Sequence, residues 1–186
     1  MTTWRDVPPL SNTQRALIRD GLLIEYAPGL VAPMDVAASP ALRGALLAPL
    51  LPSPFTAVTF SAVWVYTGWW PSDRMPHVYA AHPSKAKYPA SFRRVIPPEF
   101  TAVIGGVQVT TPARTAADLL LLESPDVAIE GILAMIGGHV HLDEIAEQLR
   151  HEQGRRHLPR ARQMIPQLTE YLSWRTQQLI TAAGAY

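Results

Sequence analysis

An α+β fold with a helical C-terminal half is what this sequence predicts, and three observations predict it. Short apolar runs broken by Pro and Gly crowd the first 110 residues, where most of the 18 prolines lie. From Pro112 onward apolar residues recur at three to four positions, the helical spacing. Between the two regimes, Gly106–Leu120 reads as a strand running straight into a helix. Strands first and helices afterwards argue a segregated arrangement, with a small, mostly antiparallel sheet.

The elements follow in order. Ser11 caps a short helix over 12–20 that stops at Gly21. Leu22–Tyr26 is a strand, Pro28-Gly29 a turn, and Leu30–Ala32 the returning strand. Helix followed by hairpin is the tail end of a winged-helix layout, so residues 1–35 are read as a partial winged-helix-like unit. Residues 36–186 form the remaining domain. Ser39-Pro40 starts a helix reaching Leu47. Phe55–Trp70 has strand-forming residues, yet Ala57, Phe60, Val63 and Trp64 recur at helical spacing. The reading is a short buried helix ending at Gly68, capped by Thr59 or Ser61. Strands are expected over 77–81, 93–96, 101–104 and 107–110, with a tight turn at Gly105-Gly106. Helices are expected near 112–123, 125–136, 141–150, 158–166 and 168–182. Ile165, Leu168, Tyr171, Leu172 and Leu179 read as core, while Trp174, Leu179, Ile180 and Tyr186 near the chain end suggest an oligomer or partner seam.

The strand–helix junction is the most specific local pattern. Val107 and Val109 alternate with polar residues. Thr111 is placed to accept a hydrogen bond from the first helical turn, and Pro112 suits a position that needs no N–H. Arg114 and Asp118 lie four apart, close enough to pair.

Composition narrows the chemistry. The chain has 186 residues, 48% of them hydrophobic and 17% charged, so one domain, or one with an appendage, can bury a core. Cysteine is absent, which excludes disulfides, zinc–thiolate sites and thiol nucleophiles. No basic start followed by an apolar run opens the chain. The most apolar stretch, 37–65, is interrupted by Pro40, Pro49, Pro52 and Pro54, so a soluble cytoplasmic protein without a membrane span is expected. Asp143, Glu144 and Glu147 cluster, but on a helix face with Arg150. His139 and His141 flank one residue with no clear third ligand. No nucleophile elbow, phosphate loop or dinucleotide fingerprint occurs. A non-enzymatic protein with no cofactor and no metal is the expectation.

The net charge of +1 makes no global case for nucleic acid, so local clusters must. Lys85, Lys87, Arg93 and Arg94 fall in one stretch with Tyr88 and Phe92 and no acid. Arg150, Arg155, Arg156, Arg160 and Arg162 fall in another with a single glutamate. Either could contact phosphates or an acidic partner, or be plain solvated surface.

The order of these blocks resembles the AbiEi family, the antitoxin-like transcriptional regulators of bacterial type IV toxin–antitoxin systems. Gly21–Val31 looks like the family's wing, Ala41–Leu47 like the helix after it, and Val58–Gly68 like its Ser/Ala block with closing Gly. Val107–Leu120 matches its strand–Thr-x-Pro-x-Arg-Thr-x-x-Asp-Leu segment, and Gly154-Arg155-Arg156 its basic stretch. The resemblance spans most of residues 15–168. It implies DNA binding through a winged helix, autoregulation of an operon, and neutralisation of a cognate nucleotidyltransferase-like toxin. The front is shorter than a full winged helix, so a protein-interaction module without DNA binding is the alternative.

Overall fold

In the computed structural model, which describes residues 9–71, 78–82 and 91–183, the chain has the expected α+β class. Helix α1 (Asn12–Arg19) starts at Ser11, whose hydroxyl accepts the Gln14 N–H at 3.2 Å while the Gln14 side chain accepts the Ser11 N–H at 2.9 Å. Strands β1 (Leu23–Ala27) and β2 (Leu30–Pro33) pair antiparallel around a turn at Gly29, whose N–H donates to Glu25 at 2.7 Å. This hairpin does not carry a core of its own. Ile24, Tyr26 and Leu30 pack on the main core, and Tyr26 stacks on Trp64 at 6.0 Å.

Helix α2 (Pro40–Leu47) is capped by Ser39. Strand β3 (Thr56–Ala57) then leads into α3 (Thr59–Thr67). The ambiguous segment is therefore mostly helix and closes on Gly68 at φ +77°, a conformation glycine adopts without strain. Residues 59–66 of α3 are buried throughout, as a helix apolar on all sides must be. Neither Thr59 nor Ser61 caps it. Val58 occupies the cap position, Thr59 is held at φ +44°, and the Ser61 hydroxyl accepts the Tyr79 N–H at 2.8 Å. The far end of α3 is tied by Arg43, which donates to the carbonyls of Val65, Tyr66 and Ala37 at 2.7–2.9 Å.

The larger sheet has the order β5-β4-β3-β7-β6, built from β4 (Ala80–His82), β5 (Ser91–Arg93), β6 (Thr101–Ile104) and β7 (Val107–Thr110) around β3. It is mixed rather than mostly antiparallel: β3–β4 and β6–β7 are antiparallel, whereas β3–β7 and β4–β5 are parallel. Local patterns reveal strands but not partners, and β3–β7 pairs segments about fifty residues apart. His77 lies outside the described residues. The expected strand at 93–96 ends instead at Arg93, because Val95 is exposed and Pro97-Pro98 cannot donate to a ladder.

Helices α4 (Pro112–Leu122) and α5 (Pro125–Met135) close the core against α3, and α6 (Leu142–His151) packs on α4. Where two helices are expected, one runs unbroken: α7 spans Leu158–Ala183, with Pro166 inside it. A proline removes one intrahelical bond, yet Leu158, Ala161, Met164 and Leu168 bury the surrounding turns and hold the helix through it. The expected core stripe therefore ends early. Leu168 is buried, whereas Tyr171 and Leu179 are exposed, because the helix runs past the body. Among the described residues no helix is long and apolar enough to cross a membrane.

Candidate functional site

The junction between β7 and α4 delivers charge into the interior. Thr110 and Thr115 tie strand to helix through hydroxyls 2.7 Å apart, and the Tyr66 hydroxyl donates to the Thr110 carbonyl at 2.9 Å. Thr111 occupies the cap position but makes no side-chain cap bond. Its carbonyl accepts the Thr115 N–H at 2.8 Å, while the residue lines a surface cleft. One turn on, Arg114 and Asp118 pair as expected, Nε to Oδ2 at 2.9 Å, both about 2% exposed.

Two further residues complete a cluster that the pair alone did not announce. Glu152, just beyond α6, receives Arg114 Nη1 at 2.9 Å. Arg94, entering from the segment after β5, reaches Asp118 at 2.8 Å through Nη1 and Glu152 at 3.0 Å through Nη2. Gln148 adds a longer contact to Glu152 at 3.4 Å, and the Arg114 guanidinium lies 5.7 Å from the Phe100 ring centroid. Two arginines and two carboxylates thus alternate around a closed ring of ion pairs with balanced charge. Burial pushes the Asp118 carboxyl up to about 6. Arg94, by charge and hydrogen bond, pulls against that rise, as does Arg155, whereas the Glu152 charge adds to it. Arg114 Nη2 is buried with no hydrogen-bond partner among the described residues. The ring ties α4, the end of α6 and the segment after β5 to one another.

The predicted basic residues part company in the fold. Lys85 and Lys87 lie outside the described residues, and Arg93 is described only through its backbone, which pairs with His82 in β5. Arg94 belongs to the buried ring and not to a surface patch: burial of two carboxylates, on α4 and just beyond α6, draws its guanidinium inward. Arg150 pairs with Glu147 on the same face of α6. Arg160 donates to the carbonyls of Leu120 and Glu123 at 2.8 and 3.0 Å, closing the open end of α4, and Arg162 donates to the Leu149 carbonyl at 3.3 Å. Arg155 is half-buried beside the ring, and Arg156 is exposed.

A cleft of about 520 Å³ opens beside the ring, lined by Phe100, Thr111, Gln148, His151 and the acids Glu99, Asp143, Glu144 and Glu147 among others. Glu144 accepts the His141 N–H at 2.7 Å and so serves the start of α6. His139 packs near Tyr66, ring centroids 5.5 Å apart, and does not converge with His141 on a third ligand. Among the described residues no group of three or more His, Asp or Glu side chains is placed to hold a metal ion.

Compared with known proteins, the chain matches no family model, no curated protein and no solved structure.

Proposed function

We propose that this chain is a non-enzymatic, antitoxin-like regulator of the kind its sequence resembles, acting on operator DNA and on a cognate toxin. One observation carries the reading. Arg155, Arg156, Arg160 and Arg162 fall within eight positions around the start of α7. Among the described residues none of them has a carboxylate within ion-pair distance. Arg160 and Arg162 are turned to carbonyl oxygens at the ends of α4 and α6, which leaves Arg155 and Arg156 to carry the reading. Asp118, near Arg155, and Glu152 are already matched by Arg94 and Arg114. The turn just before α7 therefore carries the positive charge of Arg155 and Arg156, and the helix dipole has the same sign there. Such a surface binds phosphates by releasing counterions.

The test is retention of DNA from upstream of the protein's own gene at two salt concentrations. Binding should weaken steeply with salt. The double variant Arg155→Ala/Arg156→Ala should flatten the slope of log affinity against log salt by up to about 2, with melting unchanged. No binding at low salt, or binding indifferent to salt, sinks the DNA half of the proposal. A second reading, a protein-interaction module without DNA binding, is favoured by one feature: Ile24, Tyr26 and Leu30 of the hairpin pack on the main core. Co-expression with the product of the adjacent reading frame distinguishes the two.

A further inference from the structure

The buried ring and the turn before α7 share one stretch of chain. Glu152 ends α6, and Arg155 follows three residues on, its backbone N–H reaching back to the Glu152 carbonyl at 3.4 Å. Arg155 is half-buried, and its charge is felt at the Asp118 carboxyl. Yet among the described residues it has no carboxylate within ion-pair distance, because every oxygen of the two acids is taken. Arg94 holds Oδ1 of Asp118 at 2.8 Å and Oε2 of Glu152 at 3.0 Å, while Arg114 holds Oδ2 and Oε1 at 2.9 Å each. Two guanidinium groups thus fill four carboxylate oxygens, and Arg155 stands beside a ring whose charge already sums to zero.

We propose that Arg94 is a positioning residue for phosphate binding: by filling one oxygen each of Asp118 and Glu152 it keeps Arg155 available to a phosphate. The inference rests on the DNA half of the proposed function. Without Arg94, one buried carboxylate charge has no cation. Two things can neutralise it, a proton or Arg155. At about pH 8 protons are scarce, since Asp118 in the intact ring titrates at about 6, and Arg155 is close at hand. Drawn onto Asp118 or Glu152, Arg155 contributes no phosphate contact. Arg156, exposed and one residue further along, keeps its own.

The experiment measures affinity for DNA from upstream of the protein's own gene against salt, at about pH 8. The affinity of the parent chain should fall steeply with salt. Arg94→Ala should flatten the slope of log affinity against log salt by about 0.9, the share of one phosphate contact. Arg94→Lys, which keeps the charge in the ring, should hold the parent's slope. Adding Glu152→Gln to Arg94→Ala removes the surplus carboxylate and should restore the slope. Adding Glu130→Gln instead makes the same change of charge at an exposed position on α5 and should not. If Arg94→Ala does not fold, Arg94→Gln takes its place, losing the charge but keeping a hydrogen-bond donor. The parent's slope in the Arg94 variant means that the freed carboxylate takes up a proton instead. That overturns the role of Arg94 and leaves the DNA reading standing. Restoration by Glu130→Gln as complete as by Glu152→Gln also overturns it, since net charge alone then accounts for the slope. A parent chain that binds no DNA overturns both.

Discussion

Arg114 shows how one side chain can hold two helices together. It gives Nε to Asp118 and Nη1 to Glu152, both buried acids, so its removal leaves two carboxylates in a low-dielectric interior with Arg94 as their remaining direct partner. Arg114→Ala should cost about 3–5 kcal/mol in denaturant unfolding. Arg94→Ala, whose side chain is 21% exposed, should cost less, about 1–2 kcal/mol. Equal melting of Arg114→Ala and the parent chain would show that the ring is not structural. The ring also sets a pH signature. Asp118 has a folded value near 6, above that of an ordinary carboxylate, so the folded state holds this proton more tightly. The stabilisation that this brings is complete below about pH 4 and is lost as pH rises through about 6. The difference in stability between the parent chain and Asp118→Asn should therefore change across that window and be flat above it, measured by urea titration at stepped pH. The Arg114–Asp118 pair was legible in the sequence because four residues make one helical turn. Glu152 and Arg94 were not, since their approach spans 38 and 20 residues from Arg114 and leaves no local trace.

At the scale of elements, the closest packing is backbone on backbone. A Cβ on Gly44 of α2 would meet the Ile104 carbonyl, and one on Gly105, at φ +58°, would meet the Ala41 carbonyl. The helix can lie this near the β6–β7 turn only because both positions lack a side chain. Gly44→Ala should destabilise by about 2–3 kcal/mol, whereas Gly138→Ala, with open space around it, should stay within about 0.5 kcal/mol, as paired thermal melts would show. Most helices were legible, because caps and prolines mark their starts: Ser11 and Ser39 bond as caps, and Pro40, Pro112 and Pro125 open their helices. The break expected near residue 167 was not there. A proline weakens a helix locally, but packing on either side of Pro166 outweighs one missing bond.

At the scale of the whole molecule, burial is uneven. The core gathers around α3, with Phe60, Val63 and Val65 wholly buried and α4 supplying Leu119 and Leu120. The last four turns of α7 have no such support. In the free chain, amides of residues 169–183 should exchange far faster than those of Leu119–Leu121, which should exchange only on global unfolding. Comparable protection in the two segments of a monomer would show that the helix end folds back on the body.

What the sequence by itself determined is the set of elements. Apolar period, capping serines, helix-opening prolines and turn glycines act over a few residues, so their consequences are local and can be read in order. That was enough for the α+β class, the hairpin, the Arg114–Asp118 pair and the helical second half. Only the tertiary structure decided which strands pair, which arginines become internal ties and where α7 parts from the core. Those outcomes depend on contacts between distant segments, where burial of a carboxylate or a carbonyl end recruits whichever cation the fold brings within reach. Arg94 and Arg160 look like surface charge in the chain and act as internal bonds in the molecule.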